Sequence, residues 1–411
     1  MDFILQIFKD IWNYPESFLT LLSENKKRKI MYKRTLQDLI QQRMEKGKAV
    51  IMYGPRQVGK TTVLHLLLDG RNDVLWLNGD ETDVRALFED ITSTRLKTII
   101  GSRRVVVIDE AQRIKNIGLV MKLITDNLPE VQLIATGSSS FELANDIQEP
   151  LTGRKKEFQL FPLSFSELVE ANGWIDERRL LPHRLVFGSY PDVINHAGEE
   201  PEVLTELADS YLYKDILSFD RIKKSDKLVK LLQALAFQIG SMVTYNDLAQ
   251  ICGLDVKTVE SYVQLLEQAF VIFRLGSYSR NLRNELKFSR KIYFWDCGIR
   301  NAVIGNFQQI EMRQDSERGF LFENYLISER MKSLRYAKSY ANSYFWRTSA
   351  KQEIDYIEEK DGGLTAYEFK WNPKKHPSAP TSFINAYPDA VFKVVTSNNY
   401  DEFVTIHHPA D

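Results

Sequence analysis

Residues 54–61 read Gly54-Pro55-Arg56-Gln57-Val58-Gly59-Lys60-Thr61, the spacing GxxxxGK[ST], and Thr62 extends the run. A glycine-rich turn that opens a helix exposes consecutive backbone N–H groups, which can cradle phosphate oxygens. In that frame Lys60 reaches the β- and γ-phosphates and Thr61 offers its hydroxyl to Mg²⁺. A second run, Val105-Val106-Val107-Ile108-Asp109-Glu110, is an apolar strand ending in two carboxylates. Asp109 at the strand's end suits Mg²⁺, and Glu110 suits polarising an attacking water. A third strand tip carries Thr136-Gly137-Ser138-Ser139. A hydroxyl there can position water against the γ-phosphate. Ser138 is the first choice, with Thr136 and Ser139 as rivals, and helix capping explains the same residues equally well. Arg154, in Thr152-Gly153-Arg154, is either a turn arginine or a guanidinium lent to a neighbouring subunit's phosphates. Together these residues imply an ATP- and Mg²⁺-dependent P-loop ATPase.

A second acidic set lies near the C-terminus. Glu323 sits in a helical segment, Asp355 on a strand, and Glu368 and Lys370 two apart on the next strand. Residues two apart on a strand share a face. Carboxylates gathered around Mg²⁺ beside a lysine can orient water and stabilise developing phosphorane charge. The order resembles the restriction-endonuclease-like pattern, helix Glu … Asp … Glu-x-Lys. That resemblance makes Glu323, Asp355 and Glu368 the ligands of a second Mg²⁺ and Lys370 the catalytic lysine. It fits a nuclease, and it fits a binding module that has lost cleavage.

These residues need elements to hold them. Short apolar runs at 49–53, 74–77, 105–108 and 131–135, with Phe158-Gln159-Leu160 as a fifth, alternate with helical stretches. That pattern predicts a parallel sheet covered on both faces. A helix is expected over 33–47, and an amphipathic helix over residues 1–30 packs on the main body. From about 205 to 270 helical periodicity dominates. Strand-like segments return at 271–296, 344–348, 353–358, 364–370 and 391–395.

Residues 242–267 read as helix, turn at Gly253, helix, with strands at 271–275 and 291–295 as wings, a winged-helix order. The window 221–300 holds 13 Lys+Arg against 7 Asp+Glu, a net of +6. Its wing carries Arg274, Arg280, Arg283, Lys287, Arg290 and Lys291, interleaved with Tyr278 and Phe288. Cations plus aromatics suit phosphate contact and base stacking. The second helix, 258–268, has almost no basic residues, so major-groove reading is disfavoured. Such modules also bind proteins.

Composition excludes several classes. The 411 residues predict about two to four domains. A hydrophobic share of 44% rules out wholesale disorder, and a net charge of -1 rules out a globally basic nucleic-acid coat. Cys252 and Cys297 are the two cysteines and form no CxxC, so a disulfide scaffold or cysteine zinc site is not credible. No apolar run reaches the ~20 residues of a membrane span. The first residues lack a positive n-region and do not read as a signal peptide. A cytoplasmic location without membrane contact is expected.

The set formed by residues 54–62, Ile108-Asp109-Glu110-Ala111-Gln112, 136–139 and 153–154 resembles bacterial and archaeal AAA-type ATPases of the AAA+ superfamily of P-loop NTPases, which carry a C-terminal domain of unknown function. Phe161-Pro162-Leu163-Ser164-Phe165-Ser166-Glu167-Leu168, Gly188-Ser189-Tyr190-Pro191, 211–216, 293–299 and 319–325 continue the resemblance, which covers about residues 33–400. It implies a core with an additional strand and an oligomer, with a hexameric ring favoured. The expected layout is an N-terminal helical extension (1–32), an AAA-type ATPase domain (33–205), a helical and winged-helix domain (206–300) and a restriction-endonuclease-like α/β domain (301–411). ATP turnover would drive or gate nucleic-acid binding or processing. The alternative is a nucleotide-switched signalling or scaffold ATPase that binds protein partners.

Overall fold

The computed structural model describes residues 31–44, 47–138, 147, 150–209, 225–279 and 290–406. The helix expected in residues 1–30, Ser139, the 211–216 motif, Arg280, Arg283, Lys287 and Phe288 lie outside them. The chain divides into two compact units. Among the described residues, one holds 33–161 and 268–270, and the other holds 31–32, 162–267 and those from 271 onward.

The first unit is built on a parallel sheet of five strands: β1 (Ala49–Tyr53), β2 (Val74–Asn78), β3 (Val105–Asp109), β4 (Gln132–Gly137) and β5 (Lys155–Gln159). Their spatial order is β2-β3-β4-β1-β5. Every pairing is parallel, with Ile51 beside Ala135 and Val107 beside Ile134. The inner strands β1, β3 and β4 are buried almost throughout, as expected when both faces are covered. The edge strands are more exposed: β5 begins Lys155-Lys156-Glu157, and Trp76 of β2 is exposed. Charge on an edge strand discourages further pairing. The connecting helices are α1 (Thr35–Gln41), α2 (Lys60–Leu67), α3 (Thr82–Leu87), α4 (Ser93–Ile100) and α5 (Ile117–Asn127).

In the second unit, five helices come first: α6 (Phe165–Asn172), α7 (Trp174–Arg179), α8 (Leu181–Phe187), α9 (Pro191–Asn195) and α10 (Glu200–Ala208). Ser164 and Glu167 close a reciprocal capping box on α6. Next come α11 (Ser225–Phe237), β6 (Met242–Val243), α12 (Tyr245–Cys252), α13 (Val256–Gln268) and the antiparallel pair β7 (Ile272–Ser277) and β8 (Arg290–Phe294). Then follow α14 (Cys297–Val303), the 22-residue α15 (Asp315–Tyr336), β9 (Asn342–Arg347), β10 (Glu353–Lys360), β11 (Gly363–Lys370), α16 (Thr381–Ala386), β12 (Val391–Thr396) and α17 (Tyr400–Val404).

Among the described residues the seven strands of this unit form one sheet, ordered β12-β11-β10-β9-β7-β8-β6. The join is the short parallel pairing of β7 with β9, Gly276 beside Tyr344 and Ser277 beside Phe345. Tyr278 extends it, donating its backbone N–H to Phe345 and setting its ring edge-on to Tyr344 at 5.3 Å. The 293–299 motif meets the 188–191 motif here. Asp296 accepts from the Ser189 N–H (2.7 Å) and caps α14 by accepting from Ile299 N–H (3.1 Å). A Cβ at Gly188 would lie 2.0 Å from Asp296 Oδ1, so this approach admits only glycine. Cys252 and Cys297 are free thiols, both buried. Among the described residues no helix is long and apolar enough to cross a membrane.

Candidate functional site

The nucleotide motifs converge at the C-terminal edge of the five-stranded sheet. The glycine-rich loop leaves β1, Asp109 ends β3, and Thr136 and Gly137 end β4, which lies between them. A crevice beyond the carboxyl ends of parallel strands is where such sheets bind ligands. Gly54 lets the loop leave β1 against the end of β5, because a Cβ there would lie 2.3 Å from the Leu160 carbonyl oxygen. Gly59 has φ 94°, a left-handed turn that starts α2 at Lys60. The Lys60 ammonium is buried and donates to the Gly54 (2.8 Å) and Pro55 (2.9 Å) carbonyls of its own loop.

Thr61 and Asp109, 48 residues apart, come together. The Thr61 hydroxyl donates to Asp109 Oδ2 at 2.7 Å. Asp109 Oδ1 accepts from the Thr136 hydroxyl, and Thr136 Oγ1 accepts the Glu110 N–H at 3.2 Å. A hydroxyl and a carboxylate side by side form the hard oxygen set that Mg²⁺ prefers, so the donors fit that ion. Glu110 sits at φ 48°, ψ 44°, a left-handed conformation rare outside glycine, asparagine and aspartate. Its carboxylate accepts from Gln112 Nε2 at 2.6 Å, and the same amide nitrogen donates to Ser138 Oγ at 3.0 Å. That amide orientation follows from charge, since the reverse would face the Gln112 carbonyl oxygen toward the Glu110 carboxylate. Of the three hydroxyls named for γ-phosphate sensing, Thr136 is engaged with Asp109, Ser138 with Gln112, and Ser139 is outside the described residues.

Two residues of this site escaped the sequence reading. Gln112 lay inside a quoted motif, and its i+2 spacing from Glu110 was the available signal. Arg34 had none. It is buried, and its guanidinium donates to Val58 O (2.8 Å) of the loop and Phe161 O (2.6 Å) beyond β5. It thus fixes the loop from below.

Arg154 lies at the other end of the sheet. Its carbonyl accepts from Ala49 N–H at the start of β1, and its Nε is 2.5 Å from Asp126 at the end of α5. It is remote from its own chain's loop.

The C-terminal acidic set forms a cluster that includes more members than the pattern named. Lys291 Nζ of β8 donates to Glu323 (2.9 Å) and to Glu353 (2.6 Å). Tyr293 OH donates to Glu323 (2.6 Å), Lys370 to Glu368 (2.6 Å), Arg347 to Glu353 (2.7 Å) and Phe369 N–H to Asp355 (2.8 Å). Burial, reinforced by Asp355 and opposed by Lys291, pushes the Glu323 carboxyl up to about 7. Burial and then Asp355 push Glu368 to about 7 against Lys370, and burial raises Asp355 despite Lys291 and Lys370. Burial alone would lower Lys291, but Glu323, Asp355 and Glu353 together hold it above the ordinary lysine range. Among the described residues no group of three His, Cys, Asp or Glu side chains is placed to hold a metal ion. The cluster brings the expected ligands Glu323, Asp355 and Glu368 together with the expected Lys370, and adds Lys291, which the pattern does not name.

A carboxyl that keeps its proton longer when folded contributes stability that is full below its unfolded value near 4.5 and lost as pH rises through 7. The unfolding midpoint is therefore expected to fall between pH 5 and pH 7.5, and Glu323→Gln to flatten that fall. Thermal melts of both proteins across this range check it, and parallel slopes would refute it.

The described wing cations have partners of their own. Arg274 is taken by Glu267 (2.5 Å) and Tyr245 OH (2.9 Å), and Arg290 stacks 4.8 Å over the Tyr245 ring. Lys291 is 1% exposed and cannot meet a phosphate backbone. Of the six wing cations these three have partners within the unit, and the other three lie outside the described residues.

Comparison with known proteins matches successive parts of the chain. A model of an AAA domain matches residues 46–169. Two models, each a domain of unknown function, match residues 178–310 (DUF8612) and 318–408 (DUF4143). An uncharacterised protein of Mycobacterium tuberculosis is 23% identical over 331 residues, 80% of this chain and 71% of its own length. One from Methanocaldococcus jannaschii is 21% identical over 318 residues, 70% of each chain. A solved Walker-type ATPase of Pyrococcus abyssi aligns with a TM-score of 0.48 and 15% identity, over 67% of this chain and 96% of its own.

Proposed function

We propose that this chain, an AAA-type P-loop ATPase with a C-terminal domain of unknown function, hydrolyses ATP with Mg²⁺ and uses the turnover to switch its C-terminal half. The observation that carries the reading is the convergence of Lys60, Thr61, Asp109 and Glu110 at one sheet edge. Residues 54–62 bind the phosphates, with Lys60 supplying charge to the β- and γ-oxygens. Thr61 and Asp109 hold Mg²⁺, which neutralises phosphate charge. Glu110 takes the proton of the attacking water. Ser138 is the γ-phosphate sensor in this scheme, and Gln112 ties it to Glu110.

Gln112→Leu removes that tie without touching the phosphates. A hydrogen bond to a charged group is worth about 1.5–3 kcal/mol, so turnover is expected to fall by about tenfold or more with ATP affinity unchanged. Steady-state turnover and nucleotide titration separate the two quantities. An equal loss in both would make Gln112 a binding residue instead.

Arg154 acts only in trans in this scheme, since it lies at the far edge from its own site. That role requires an oligomer, with a hexameric ring favoured. For the C-terminal half, the helix-strand-helix-helix-strand-strand order from α11 to β8 supports a winged-helix reading. The internal pairing of Arg274 and Lys291 favours protein recognition over nucleic-acid contact. ATP turnover in Mg²⁺ with and without single-stranded, duplex and branched DNA tests the choice. A flat response supports a nucleotide-switched scaffold, whereas stimulation with steep salt dependence supports nucleic-acid processing.

A further inference from the structure

We infer that Lys291 is the built-in counter-ion of the C-terminal carboxylate cluster, standing where the restriction-endonuclease-like pattern calls for a divalent cation, and that this half of the chain works as a metal-independent module. The inference rests on the geometry of the second unit and not on the ATPase reading.

The ammonium is in direct contact with two carboxylates, Glu323 at 2.9 Å and Glu353 at 2.6 Å, and its side chain is 2% exposed. One oxygen of each expected ligand already has a donor. Tyr293 OH shares Glu323 Oε1 with Lys291, Phe369 N–H holds Asp355 Oδ2, and Lys370 holds Glu368 Oε1. Arg347 takes the other oxygen of Glu353. Charge is close to balanced as well. Glu323, Glu353, Asp355 and Glu368 face Lys291, Lys370 and Arg347, a net of one negative charge that a divalent ion would overshoot.

Lys291 is also held in place, which separates it from a flexible lysine that drifts into a vacant acidic pocket. It lies on β8, and α15 grips that strand through consecutive residues. Glu323 takes Lys291 and Tyr293, while Asn324 bonds both backbone groups of Phe294, accepting at 2.7 Å and donating at 3.1 Å. The motif at 319–325 is therefore the clamp on the strand that delivers the cation. An ammonium neutralises carboxylates, but it does not bind and acidify water as a Lewis acid does.

The test is Mn²⁺ binding to the nucleotide-free, full-length protein, followed by electron paramagnetic resonance of the free ion. Wild type and Asp355→Asn are expected to bind Mn²⁺ alike. Lys291→Met is expected to gain one equivalent, which Lys291→Met/Asp355→Asn loses again. The inference is overturned if wild type binds an equivalent that Asp355→Asn abolishes. It is equally overturned if wild type cleaves DNA with Mn²⁺ and Asp355→Asn does not, or if folded Lys291→Met gains no site. Should Lys291→Met fail to fold, the comparison of wild type with Asp355→Asn still decides. ATP turnover measured on the same samples reports the ATPase reading separately.

Discussion

Glu110→Gln is expected to leave ATP bound and to slow its turnover by about 10²- to 10⁴-fold, the usual contribution of a positioned general base. The substitution keeps the shape of the side chain. Gln112 Nε2, now 2.6 Å from a Glu110 oxygen, can donate equally well to an amide oxygen, so the arrangement survives. The left-handed backbone at Glu110 is set by its neighbours, including the Thr136 hydroxyl that accepts its N–H. What disappears is the group that can accept a proton. Turnover at the parental rate would mean that another residue activates the water.

Lys60→Ala is expected to weaken ATP binding by about 100-fold or more. The ammonium can make two or three charge-assisted hydrogen bonds to phosphate, each worth about 1.5–3 kcal/mol. Its loss acts twice. The phosphates lose their counter-charge, and the Gly54 and Pro55 carbonyls lose the donor that folds the loop. Calorimetric titration with ATP measures the first effect. The second is visible as a lower unfolding midpoint without nucleotide. Unchanged affinity would move phosphate recognition away from this loop.

The nucleotide site was legible because its chemistry is carried by short contiguous runs. Once Val105–Ile108 is read as a buried strand, Asp109 has to emerge at its tip, and the same logic places Thr136. The strands of the second half were equally legible, since 353–358 and 364–370 are apolar alternations bounded by Asp361-Gly362-Gly363. Pairing across long separations was not. Lys291 reads as one more wing cation until Glu323 and Glu353 are seen around it, 32 and 62 positions away. Arg34 falls in the expected 33–47 helix with no signal of its own, although it holds the loop 24 positions on. A sequence shows how many charges there are and leaves open which of them have already met. The grouping of 162–205 with the C-terminal half was hidden for a similar reason. Asp296 and Ser189, which tie that segment down, are 107 residues apart.

The two-residue seam between β7 and β9 has a bearing on the history of this chain. Two recognised domains of unknown function meet between residues 310 and 318, as though they could be shuffled separately. Their strands nevertheless share one sheet, and the carboxylates of the later domain are neutralised by a lysine of the earlier one. A recombination event at that junction would open a bare strand edge on each fragment and strand buried acid in one of them. Such fragments stick to one another rather than fold. The two matched domains are thus expected to fold as a single piece, so the chain has one folding unit fewer than its domain boundaries suggest.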